Sequence, residues 1–151
     1  MARSYGLVGN YSLVASATLP VMNIIGTTAV RSKIYDIIMG SDAVADNAAK
    51  FVFQRCTTAG TPAGAFTAVA IDPGDPAAVT TCGIALFSAG PTLTANAFAL
   101  QWAQNQRATF RWVAAPSKEL VIPATAANGL ALMSTVVTAG YNAVWAIEFE
   151  E

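Results

Sequence analysis

Apolar and polar residues alternate with a period of two over several short stretches, and nowhere do they keep the three-to-four spacing of a long amphipathic helix. In KFVFQRCT (residues 50–57), Phe51, Phe53 and Arg55 share one face and Val52, Gln54 and Cys56 the other. Residues 143–149 repeat the pattern, with Trp145, Ile147 and Phe149 opposed to Ala146, Glu148 and Glu150. KIYDIIMG (residues 33–40) is apolar on both faces, Ile34 and Ile38 on one and Tyr35, Ile37 and Met39 on the other. That suits a strand covered from both sides, by a partner sheet and by another subunit. Residues 21–27, 66–71, 79–87, 92–103, 119–122 and 130–138 read as further strands.

Turn chemistry separates these runs. Gly6, Gly9, Asn10 and Ser12 interrupt any period in residues 1–20, and Pro20 closes them, so this segment is expected to be an irregular arm. SDAVADNAA (residues 41–49) fits a helical turn or a loop equally well. TAGTPAG (residues 58–64) and DPGDP (residues 72–76) are turns, because proline fixes φ and glycine accepts positive φ. SAGP joins two of the strands, and AGYN closes a last hairpin over residues 130–149. ALQWAQNQRATFRWVAAP (residues 99–116) also reads as a hairpin. Phe98, Leu100 and Trp102 fall on one face, Gln104, Asn105 and Gln106 lie near the turn, and Phe110 and Trp112 return on one face. Many short strands without a long helix predict an all-β chain. The expected fold is a single-domain, jelly-roll-like sandwich of two antiparallel sheets over residues 21–151, behind an irregular N-terminal arm, residues 1–20.

Composition sharpens this picture. Charged residues make up 11% of the chain and apolar residues 54%, much of the latter alanine. An average soluble domain carries about 25% charge, and charge is what normally discourages association. A good part of this surface is therefore expected to meet protein. Three lysines and five arginines, with net charge −1 and no basic run, supply no stripe for phosphates, so nucleic acid is not an expected partner. No apolar run is long enough to span a bilayer, and no signal-like stretch follows the start, so the chain is expected to remain in the cytoplasm where it is made. Cys56 and Cys82 read as separate buried thiols.

Candidate chemistry is sparse. The chain has no histidine, so the usual general base and metal ligand are missing, and no enzyme, metal or cofactor is expected. Asp72 and Asp75 lie in a Pro/Gly turn, where aspartate bonds its own backbone. The glycines show no phosphate-cradling spacing. Trp102, Phe110 and Trp112 are expected to fill the sheet-to-sheet core. Arg55, Arg107 and Arg111 then serve either as solvated rim charges or as partners across a subunit boundary for Asp36, Asp46 or Glu119. Together with Tyr35, Ile37 and Met39 they form the candidate subunit or capsid interface. A sugar-binding platform would need Trp102 or Trp112 exposed.

DNAAKFVFQRCTTAGTPAG (residues 46–64) and NQRATFRWVAAPSKELVIPATAANGLAL (residues 105–132) resemble the small jelly-roll structural proteins of tailed bacteriophage virions, in particular capsid decoration or cement proteins. The resemblance runs from about Ala17 to the C-terminus. It implies a homotrimer on the outside of the capsid, bound to the major capsid protein and stabilising the head, after assembly in the host cytoplasm. It carries over no individual interface residue, and Cys56 and Cys82 are not features of the family. The alternative is a receptor- or carbohydrate-binding virion module of similar fold, in a tail or fibre.

Overall fold

The computed structural model describes residues 2–13, 19–84, 87–137 and 140–151. Among them there is no helix, and the chain is built of antiparallel strands, numbered here in chain order. The first sheet runs β10 (Leu120–Ile122), β3 (Ser32–Ser41), β12 (Tyr141–Glu150), β1 (Ser4–Leu13) and β6 (Val69–Ala70), with β9 (Phe110–Val113) also on β3. The second runs β5 (Gly64–Phe66), β7 (Thr81–Ile84), β2 (Met22–Ile25), β11 (Gly129–Val137), β4 (Ala48–Cys56) and β8 (Leu93–Asn105). The chain crosses between the sheets from β1 to β2, β2 to β3 and β3 to β4, then again from β8 to β9, β10 to β11 and β11 to β12. Those crossings, with β12 between β1 and β3 and β11 between β2 and β4, make a jelly roll. The excursion from β5 to β7 widens it, adding β6 beside β1 and β7 with β5 beside β2.

The two inner faces meet in one core. Tyr5, Leu7, Ile34, Ile37, Met39, Trp145, Ile147 and Phe149 come from the first sheet, and Met22, Ile24, Phe51, Phe53, Leu130 and Leu132 from the second. Trp102 and Phe110 close one side of it across the sheets, their rings stacked at 4.4 Å with an interplanar angle of 6°. Phe51 stacks on the same indole at 5.4 Å. The alternation expected on β4 and β12 holds, with Phe51 and Phe53 on one inward face and Trp145, Ile147 and Phe149 on the other.

Four expectations need correction. Half of the supposed arm is β1, paired with β12 from Ser4 opposite Glu150 to Leu13 opposite Tyr141. Its glycines looked like breakers, but Gly9 lies under the Trp145 ring, where an added Cβ would come within 2.7 Å of Cζ2. Missing side chains there permit packing and do not stop the strand. Residues 14–18 of the expected arm lie outside the described residues.

The second correction concerns the segment around NQR, which is a corner and not a hairpin: β8 belongs to the second sheet and β9 to the first. Gln106 is buried there and its N–H donates to Asn47 O at 2.8 Å. The third is the closing pair, β11 and β12, which likewise sit in different sheets. Strands β7 and β8 share a sheet but lie on opposite sides of it.

The fourth concerns faces. Ile37 and Met39 point into the core beside Ile34, because a bulge at Tyr35, opposite the Glu148–Phe149 step, shifts the alternation by one. They are buried within the subunit and form no interface. A second bulge, at Ala99, turns Phe98 opposite Gln54 and away from Leu100 and Trp102, leaving it exposed.

Candidate interaction surface

The outer face of the first sheet carries apolar side chains that no other described residue covers. Ala146 on β12 lies opposite both Ile38 on β3 and Val8 on β1, making one cross-strand row. Val144 follows two residues earlier on β12, between Gly40 and Asn10, and Val69 of β6 stands opposite Gly6. Val8 is 66% exposed, Val69 71% and Val144 50%. Val113, Ile71 and Phe66 add further exposed apolar area at the margins. A shallow groove of about 350 Å³ runs between Val8, Gly9, Asn10, Phe66 and Val144. Apolar surface gathered on one face marks a protein contact far better than scattered single residues do.

A polar border flanks this row. Arg111 of β9 donates from Nε to Asp36 Oδ1 at 3.2 Å and from Nη2 to Oδ2 at 2.5 Å, a two-point pair. Asp36 is only 7% exposed beneath it. The hydrogen bond and charge of Asp36 hold the Arg111 guanidinium protonated beyond its ordinary range. Lys33 Nζ meets Glu150 Oε1 at 3.0 Å. Tyr35 stands half-buried among Ser4, Glu148 and Asp36, and desolvation pushes its hydroxyl pKa up. An apolar centre rimmed by arginine, tyrosine and paired charges is the usual anatomy of a protein interface.

Two of the expected interface residues, Tyr35 and Arg111, thus sit on this face. The other two arginines do not. Arg107 lies at the corner after β8, exposed, with Nη1 3.5 Å from Asp46 Oδ2. Arg55 points inward across the sandwich, and its Nη1 donates to the carbonyl of Val121 on β10. Partial burial there pulls its pKa down. Asp36 and Asp46 are therefore partners of arginines as expected, but within one chain. Val8, Val69, Val113 and Val144 were missed. Only Val144 had a usable signal, the intact alternation of β12; Val8 was hidden in the segment read as an arm.

The second sheet differs. Residues 57–63 and 87–92 pair with each other (Thr57 N–H to Thr92 O at 2.9 Å, Thr61 N–H to Ala89 O at 2.8 Å) and lie along its outer face. Gly60 takes φ 66° because the Ala89 and Pro91 backbone approaches it there. Asn23, buried on β2, donates to Ala59 O at 2.6 Å and accepts from Gly83 N at 2.9 Å, fastening the loop down. Beneath it Ile25, Val52, Cys56, Ala131 and Met133 form a second small core, closed by Ala59 and Leu93.

Cys56 lies in that outer core and Cys82 between the sheets, both as free thiols. Burial pushes Cys56 up to about 11 and Cys82 up to about 12, so both are protonated and inert at neutral pH. Asp72 accepts from Gly74 N at 2.9 Å, as expected of a turn aspartate. No group of three or more His, Cys, Asp or Glu that could hold a metal occurs among the described residues. No family model, no curated protein and no solved structure matches the chain.

Proposed function

We propose that this chain is a virion structural protein of the capsid-decoration or cement type, which docks as a homotrimer on the outer surface of a major capsid shell and stabilises the head. The observation that carries the reading is the bare outer face of the first sheet, where Val8, Val69 and Val144 stand exposed on a chain with only 11% charged residues. The jelly-roll strand order supports the same reading, and the three-fold state is what the sequence resemblance implies. Covering that face against copies and shell removes apolar area from water at roughly 25 cal/mol per Å².

A carbohydrate- or receptor-binding virion module of similar fold has less support. Its platform needs exposed tryptophans, but Trp102 and Trp145 are buried and Trp112 is half-buried against the core.

The test is co-sedimentation of the purified chain with expanded shells that lack it. The reading expects the chain in the particle fraction at three copies per site, with heads surviving a higher temperature. A chain that stays wholly in the supernatant overturns it.

A further inference from the structure

The sandwich leaves four sheet edges, and three of them are blunted. The first sheet ends on one side at β6, two residues long. On the other it ends at β9 and β10, separated by residues 114–119 with Pro116, Lys118 and Glu119. The second sheet ends on one side at β5, three residues long. The fourth edge is β8, thirteen residues reading LTANAFALQWAQN, without a charge or a proline. Residues 100–105 pair one-to-one with residues 53–48 of β4 before the bulge at Ala99 breaks the register. No strand lies on the other side of β8 among the described residues. Soluble proteins guard such edges with charge, proline, shortness or a bulge, because open backbone donors and acceptors template pairing. The bulge guards the upstream part of β8 and leaves residues 100–105 open.

We propose that β8 is a self-pairing edge, on which a second copy of this chain lays its own β8 antiparallel about a two-fold axis, fusing the two second sheets into one. Side chains and charge select this occupant. A foreign peptide added to an edge is chosen through pockets for its alternate side chains. Along the open residues 100–105 the exposed positions Gln101, Ala103 and Asn105 are small or amide-bearing and build none, while the large exposed side chain of β8, Phe98, lies upstream of the bulge. A two-fold contact needs only compatibility with itself. The ion pair at the strand's downstream end, Arg107 with Asp46, faces the uncharged upstream residues of the antiparallel mate, so no like charges meet. The surface is separate from the bare face of the first sheet, and the inference does not depend on the proposed function.

The test is the double variant Gln101→Glu and Ala103→Glu. Both positions are exposed, and residue 103 stands opposite Lys50 of its own chain. A glutamate there is welcome within the subunit and meets its equivalent across the two-fold axis. Sedimentation velocity and amide hydrogen exchange are read on both proteins. The wild type should show a dimer, or a hexamer if a three-fold contact also forms, with slow exchange along residues 100–105. The variant should raise the dissociation constant of the two-fold contact about tenfold, less in high salt, with its melting temperature unchanged. If the double variant melts early, Gln101→Glu alone gives the same reading. A wild-type monomer, or a trimer whose mass the variant shares, overturns the pairing, as does fast exchange of these amides in the wild type. The trimer outcome leaves the proposed function standing.

Discussion

The two outer faces of this sandwich are finished differently. On the second sheet the chain folds its own loops over Val52, Met133 and Ile25 and fixes them through Asn23. On the first sheet Val8, Val69 and Val144 stay uncovered, although the same chain supplies them. Both faces carry apolar residues at outward positions. The loops therefore separate apolar surface that the fold covers from apolar surface that it leaves exposed.

The largest expected effect lies on the covered face. Met133→Ala should destabilise the fold by about 2–5 kcal/mol, a core-like penalty, although the residue sits on the outside of a sheet. Urea unfolding measures it, and a loss within about 0.5 kcal/mol would mean that the loops lie loosely there. Next comes Gly9→Ala on β1. Its methyl would meet Trp145 and should cost about 1–3 kcal/mol by overpacking, in the same assay.

Alkali should act through the covered residues too. Burial raises Cys56 to about 11, Cys82 to about 12 and Tyr141 to about 12, so the folded state favours their neutral forms. That contribution is complete below the unfolded thiol value of 9.0 and is lost as pH rises through the folded values. Melting temperature should thus fall progressively above pH 9, and a disulfide-exchange reagent should label neither thiol of the native protein at pH 8. Rapid labelling of Cys56 would show the loop cover to be open.

On the bare face, by contrast, changes should barely affect folding. Arg111→Ala should leave the urea midpoint nearly unchanged, because the guanidinium is itself exposed and water can replace it at Asp36. A marked drop would make the pair part of the fold and not of a rim.

The all-β sandwich was legible because β4 and β12 keep an unbroken period of two, and each inward residue there follows from it. The bulges at Tyr35 and Ala99 were not legible. Each inserts one residue with no compositional mark and reverses every face beyond it, which is how Ile37 and Met39 came to be read as interface. Nor do turn residues reveal which sheet the next strand joins, so the crossings from β8 to β9 and from β11 to β12 looked like hairpins. Glycine misled in β1, where Gly9 makes room for Trp145. Of the candidate surface, Arg111 was found through its residue type and Tyr35 through a face that the bulge separates from Ile37 and Met39, while the valines required the strand pairing to bring β1, β6 and β12 together.

The most direct measurement is solution mass by light scattering, over a wide concentration range, for the wild type and for the double variant Val8→Asp and Val144→Asp. An assembly surface on the first sheet requires a wild type at a multiple of the trimer mass. The variant should lose the three-fold assembly while its melting temperature changes little. A wild type at the single-chain mass at every concentration, or a variant that keeps the wild-type mass, would contradict it.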